Sequence, residues 1–234
     1  MEVKRFEGKT HLYLTIEPDN YQPEADYPMV VMLHGYASSM EDVARLSTSI
    51  ALEGYIYVCP NAPIQFQVRS GRVAYGWSSP GSTEAQVEEE EVQAAGELEL
   101  FFEEVFQRYR VRPGRVLLMG FSQGGSLSLR CGLPRPETFA GLASLSGYLP
   151  DPDSLEGRLP EQRTQPIFIS HGTHDQYIPL QQGQETRDFL EVRGYAPLYK
   201  QYPSMRHEVG QPVMEDLAPW IKKVLPPFSE QRPY

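Results

Sequence analysis

Short apolar runs alternate with stretches of helical spacing along most of this chain. Leu12, Leu14 and Ile16 take every second place in residues 10–17, which predicts an early half-buried strand with His11 on its polar face. A polar stretch with three prolines follows. Met29 to Leu33 is then apolar throughout, the pattern of a central parallel strand covered on both faces. Ser39 and Asp42 predict the start of a helix over 40–53, closed by Gly54. Tyr55 to Cys59 reads as a strand, and residues 61–82 as a long irregular loop. Leu98, Phe101, Phe102, Val105 and Tyr109 mark a helix over about 83–110. Further strands are predicted at the run ending in Gly120, at 141–147, at 166–170 and at 198–202. Between and after them come a helix to Cys131, a polar loop over 148–165, a helix over 181–193 and a final helix over about 211–225. Pro219 should kink or split that last helix.

Strands and helices in alternation, with apolar strands, predict a mostly parallel, doubly wound α/β sheet. The working groups of such sheets sit at the carboxyl ends of the strands. Tyr36, Ser122, Asp175 and His207 each fall just past an expected strand, so they should gather on one edge.

Composition narrows this picture. A chain of 234 residues, 40% hydrophobic, suits one domain spanning 1–234. Its net charge of −10 argues against nucleic acid and anionic membrane surfaces. Much of the acid, including Glu88 to Glu91, lies in the long helical pattern and is expected to form a solvated face. No apolar run approaches the roughly 18 residues of a membrane span, and Glu2-Val3-Lys4-Arg5 does not open a signal peptide. The expectation is a cytoplasmic protein without stable membrane insertion. Cys59 and Cys131 have neither metal-ligand nor disulfide-framework spacing and read as buried apolar side chains.

The sharpest chemical signal is Gly120-Phe121-Ser122-Gln123-Gly124, placed between an apolar run and a helical segment. This is the form of a nucleophile elbow, in which a strained serine brings its flanking positions so close that glycine is needed there. A serine hydroxyl needs an adjacent base, and that base needs an orienting acid. Of the five histidines only His207 follows every candidate acid, so it is the expected base. Asp175 follows the strand at 166–170 by a glycine-bearing turn and is the expected acid; Asp151 and Asp153 are its rivals on a proline-rich loop. The amide of Gln123, at a helix N-terminus, and that of Tyr36, in the loop after an earlier strand, are the expected oxyanion donors. Trp77, Leu149 and Met205 are candidates for the substrate wall, although Trp77 reads equally as a core anchor. His34 and His171 each precede a glycine at a strand end and are expected to hydrogen-bond those turns. His34, His171 and His174 form no metal set.

Taken together, Leu33-His34-Gly35, Gly120-Phe121-Ser122-Gln123-Gly124-Gly125, Leu145-Ser146-Gly147-Tyr148-Leu149-Pro150, His171-Gly172-Thr173-His174-Asp175 and His207 resemble one known group. It is the carboxylesterase, lysophospholipase and acyl-protein thioesterase family of small serine α/β-hydrolases. The resemblance implies an α/β-hydrolase fold with little or no lid and a shallow acyl groove. It further implies no cofactor, a small-molecule ester as partner and, in several members, a homodimer. The family commonly has leucine where this chain has Tyr36. Three functions follow for comparison: a carboxylesterase for short to medium acyl esters, a thioesterase or lysophospholipase for long lipid chains, and a non-catalytic ligand-binding α/β-hydrolase.

Overall fold

The uninterrupted apolar runs become the centre of a sheet. In the computed structural model, which describes residues 1–51 and 53–229, the strands are β1 (Glu2–Glu7), β2 (Leu12–Glu17), β3 (Met29–Leu33), β4 (Ile56–Pro60), β5 (Ile64–Gln67), β6 (Val73–Gly76), β7 (Val116–Phe121), β8 (Phe139–Leu145), β9 (Ile167–Gly172) and β10 (Leu198–Tyr202). Eight of them form one sheet in the order β1-β2-β4-β3-β7-β8-β9-β10, while β5 and β6 pair separately. The sheet is parallel from β4 to β10, and only β1 and β2 run antiparallel to their neighbours. The helices are α1 (Met40–Ala44), α2 (Ser47–Ile50), α3 (Glu84–Tyr109), α4 (Gln123–Gly132), α5 (Leu180–Val192) and α6 (Gln211–Val224).

Inside each apolar run, alternate side chains go to opposite faces. Met29, Val31 and Leu33 pack with Leu98, Phe101 and Phe102 of α3 and Leu127 of α4. Val30 and Met32 pack on the other face with Met40 of α1, Ile50 of α2 and Val213 and Leu217 of α6. The helix after β3 thus lies on one face and the helix after β7 on the other, although β3 and β7 are adjacent. That adjacency is a topological switch point, where the two connections part and leave a crevice at the carboxyl edge.

Several local expectations are corrected. β1 was not foreseen: it is an exposed, charged edge strand with no apolar stripe. β2 is not half-buried. Its polar-face residues Thr15 and Glu17 are covered by α3, whose Tyr109 hydroxyl donates to Glu17 Oε1 at 2.6 Å. His11, expected on a polar face, is buried against Trp77 and Phe101, and burial pushes its pKa down to about 4. The helix expected over 40–53 is two short ones. Ser47 Oγ bonds back to the Ala44 carbonyl and Thr48 Oγ1 to that of Arg45, the local competition that unsettles helices. Leu52, inside that expected helix, lies outside the described residues. The loop over 61–82 carries the β5–β6 hairpin, and that over 148–165 a 3₁₀ turn, Pro152–Arg158. Pro219 does not split α6, because it stands on the exposed face, as does Glu215, whose carbonyl loses its helical partner there. No described helix is long and apolar enough to cross a membrane.

Glu91 also departs from expectation. Glu89 is exposed and Glu88 and Glu90 are half-buried, but Glu91 is 5% exposed and its Oε2 has no hydrogen-bond partner. Burial raises its pKa to about 7, against the opposing pull of Arg130 and a hydrogen bond from Gln123, with Glu88 adding a small upward push. The folded protein therefore holds a proton there at pH values where the unfolded chain has released it, so stability falls as pH rises from about 4.5 to 7. Glu91→Gln removes this titration. Urea unfolding of the two proteins should show the variant gaining roughly 3 kcal/mol on wild type between pH 4.5 and 8. A difference that does not change with pH would contradict the assignment.

Candidate active site

Steric limits at the end of β7 shape the site. Ser122 has φ 55° and ψ −121°, a conformation that L-residues rarely adopt. The turn is so tight that a Cβ on Gly120 would lie 2.2 Å from the Gly124 carbonyl oxygen. One on Gly124 would lie 2.4 Å from that of Leu33. The chain therefore passes directly from strand to helix, with Ser122 at the corner and α4 beginning at Gln123. The Ser122 N–H donates to Leu145 O of β8 at 2.8 Å, and the Ser122 carbonyl accepts the N–H groups of Gly125 and Ser126.

Two further strand ends bring in the acid and the base. Past β9, the N–H groups of Thr173 and His174 donate to the carbonyls of Tyr202, at the end of β10, and Met205, beyond it. Ser204 N–H donates to Thr173 Oγ1. These bonds lash the two loops together, and Asp175 and His207 meet. Asp175 Oδ1 accepts the N–H groups of Tyr177 and Ile178, each at 2.9 Å, and Oδ2 accepts His207 Nδ1–H at 2.7 Å. The carboxylate is fully buried. His171 Nε2 is 2.9 Å from the Ile178 carbonyl, to which it donates, bracing the same turn. With Nδ1 carrying its proton toward Asp175, His207 Nε2 is left to accept from the Ser122 hydroxyl at 2.8 Å. The imidazole is held between Phe121, at 4.7 Å between ring centres, and the edge of Tyr177, at 5.3 Å. This arrangement can draw the proton from Ser122 while the buried carboxylate stabilises the resulting imidazolium. Asp151 and Asp153 are not part of the chain of bonds.

The loop after β3 forms the facing wall. A Cβ on Gly35 would be 3.2 Å from Ser122 Cβ, so the 34–36 backbone runs beside the serine. His34 is buried, and burial lowers its pKa to about 4. Its Nε2 accepts Ala62 N–H at 2.9 Å, so its Nδ1 carries the proton and donates to the Gly35 carbonyl at 2.7 Å. In a trans peptide this turns the Tyr36 N–H the opposite way. Neither the Tyr36 nor the Gln123 N–H donates to a protein acceptor among the described residues.

The remaining candidates are buried, and none of them lines the hollow beside His207. Trp77 is fully buried; its Nε1 donates to the His34 carbonyl at 2.9 Å and its own N–H to Gln123 Oε1 at 3.0 Å. It supports the 34–36 loop from beneath. Leu149 is buried and borders a separate cavity of about 180 Å³ against α5. Met205 is buried in the core on the α6 face. A larger cavity of about 330 Å³ does adjoin His207, and Val43, Leu46, Phe121 and Val209 line it. Sequence reasoning missed those four, together with Tyr177 and the Gln123 side chain, whose Nε2 donates to Ser78 Oγ at 2.8 Å. Among the described residues no three His, Cys, Asp or Glu side chains converge to hold a metal ion.

The chain is similar to several known proteins. Residues 20–225 match the family described as phospholipase/carboxylesterase. A probable carboxylesterase of Oryza sativa subsp. japonica is 36% identical over 122 residues, a match spanning 52% of this chain and 46% of that protein. Acyl-protein thioesterase 1 of Mycosarcoma maydis is 30% identical over 215 residues, covering 83% of this chain and 90% of that one. The crystal structure of Arabidopsis thaliana SOBER1 superposes with a TM-score of 0.71 at 27% identity, over 85% of this chain and 99% of that one.

The tight turn yields a contrasting pair of substitutions. Gly120→Ala forces a methyl group onto backbone that cannot yield and should cost about 3 kcal/mol or more. Gly96→Ala, in the middle of α3 with nothing within 4 Å of the new carbon, should gain about 0.5–1 kcal/mol. Thermal unfolding of both variants checks this, and equal shifts would contradict it.

Proposed function

The chain belongs to the phospholipase/carboxylesterase family, and on that premise we propose that it is a serine carboxylesterase for short to medium acyl esters, working through Ser122, His207 and Asp175. One observation carries the reading: an unbroken line of short hydrogen bonds, 2.8 and 2.7 Å, from a strained serine through an imidazole to a buried carboxylate. As the Ser122 oxygen attacks the ester carbonyl, His207 Nε2 takes the hydroxyl proton. Asp175 holds the Nδ1–H tautomer and stabilises the cation. The negative oxygen of the tetrahedral intermediate is held by the N–H groups of Tyr36 and Gln123. The free state of both amides supports this role, as does the turn of the Gly35 peptide by His34. His207 returns the proton to the departing alcohol, leaving an acyl-serine. Water then attacks that acyl group with His207 as base, releasing the acid and restoring the hydroxyl. No cofactor enters these steps. The two thiols, free and buried, are in keeping with a cytoplasmic setting.

A second reading, hydrolysis of acyl thioesters or of lysophospholipids with long chains, is favoured by the likeness to acyl-protein thioesterase 1. Against long chains stands Tyr36, 43% exposed and stacked on Phe66 at 5.2 Å, which puts a broad ring beside the oxyanion loop. A purely ligand-binding role has no use for the strain at Ser122.

A fluorophosphonate should label wild type at Ser122 and leave Ser122→Ala unlabelled. With para-nitrophenyl butyrate, kcat should fall by about 10⁴-fold or more in Ser122→Ala and about 10⁴-fold in Asp175→Asn. Ser122→Ala activity within tenfold of wild type would overturn the mechanism. A chain-length series that peaks at long acyl groups would transfer the protein to the second reading.

A further inference from the structure

The cavity beside His207 has no part in the steps above. It lies between α1 and the 207–209 segment, with Phe121 against it, and Gly35 borders it next to Ser122. Its apolar lining comes from Val43, Leu46, Phe121 and Val209. At its far end Leu46 and Val209 also border a second hollow of about 570 Å³, which follows α6 past Met214 and Ala218 to Lys222. With Leu46 and Val209 as shared walls, the two hollows form a groove in two parts, the first beside the imidazole and the second along one helix.

We infer that this groove receives the alcohol arm of the ester, and that the arm is apolar and uncharged. The inference rests on the esterase reading above. In that mechanism His207 Nε2 must reach the departing oxygen to return its proton, so the alcohol side of the bond lies toward His207. The groove is the open space on that side. The Tyr36 ring and the hairpin bearing Phe66 stand on the other side. The two arms of the substrate therefore diverge at Ser122, with the acyl group toward the hairpin and the alcohol toward α6. The lining sets the class of alcohol. Four apolar side chains reward methylene groups, which leave water as they enter. The carboxylates at the near end are Asp42, tied to Arg72 at 3.3 Å, and the exposed Glu208. Both repel an anionic leaving group. Among the described residues Lys222 is the one Lys or Arg bordering the groove, and it lies at the far end.

The test holds the acyl group fixed and varies the alcohol. Ethyl, butyl and octyl acetate have leaving groups of nearly equal intrinsic reactivity, so differences in kcat/KM report contacts made by the alkyl arm. Wild type should gain at least tenfold in kcat/KM from ethyl to octyl acetate. Leu46→Trp, which fills the junction of the two hollows, should reduce that gain to within about threefold. Val209→Phe, introduced separately, should act in the same direction, and thermal unfolding identifies a variant that has lost its fold. Ethyl butyrate and ethyl octanoate form the control, and their ratio should stay as in wild type. A flat alcohol series in wild type would overturn the inference while leaving the esterase reading in place, as would loss of the acyl preference instead of the alcohol preference. Failure of wild type to hydrolyse any ester would overturn both.

Discussion

Contact of backbone with backbone at the end of β7 is the constraint on which the site depends. Gly120, Gly124 and Gly35 let the end of the β3 loop, the nucleophile turn and the first turn of α4 come closer than any side chain would permit. The strain at Ser122 is sustained because hydrogen bonds on both sides leave the turn no freedom: its N–H is bound to β8 and its carbonyl to the third and fourth residues of α4. Core packing adds to this hold. Every residue of α4 is buried, so the helix cannot shift to relieve the turn.

Around that turn the structure adds a second layer of polar bonds. The Gln123 side chain ties α4 to Trp77 and Ser78, Trp77 ties that segment to His34, and His34 orients Gly35. Each member is buried and bonded, so the network costs little to bury and leaves few alternative arrangements. Asp175 shows the same economy, with its carboxylate bonded by two backbone N–H groups and one imidazole. Rigid supports of this kind allow three groups from separate loops to stand within hydrogen-bond reach before any substrate arrives.

Much of this was legible in the chain itself, for identifiable reasons. The central strands announced themselves because burial on both faces requires unbroken apolar runs, as in Met29 to Leu33. The serine turn was legible because sterics permit only glycine at 120 and 124. The line from Ser122 to His207 and Asp175 followed from chemical need and chain order. Less was visible where tertiary contacts decide. β1 carries no apolar stripe, and Glu91 differs from Glu90 only in the side of α3 it occupies. His11 and Trp77 meet in the core through residues far apart in sequence. The groove along α6 has walls from three separate segments, each an ordinary apolar residue in its own context. Periodicity cannot show a cavity, because a cavity is a relation between elements.

His34 has a consequence for how the protein meets acid. Both its ring nitrogens are committed, one accepting from Ala62 and one donating to Gly35. Uptake of a proton near pH 4 would set an N–H against the N–H of Ala62, donor facing donor. The loop beside Ser122 could then keep its shape only by breaking a buried bond. Acid would thus injure the site through its architecture. Recovery after neutralisation would depend on whether that loop finds its path again, so the same residue that aligns the site also limits its memory of low pH.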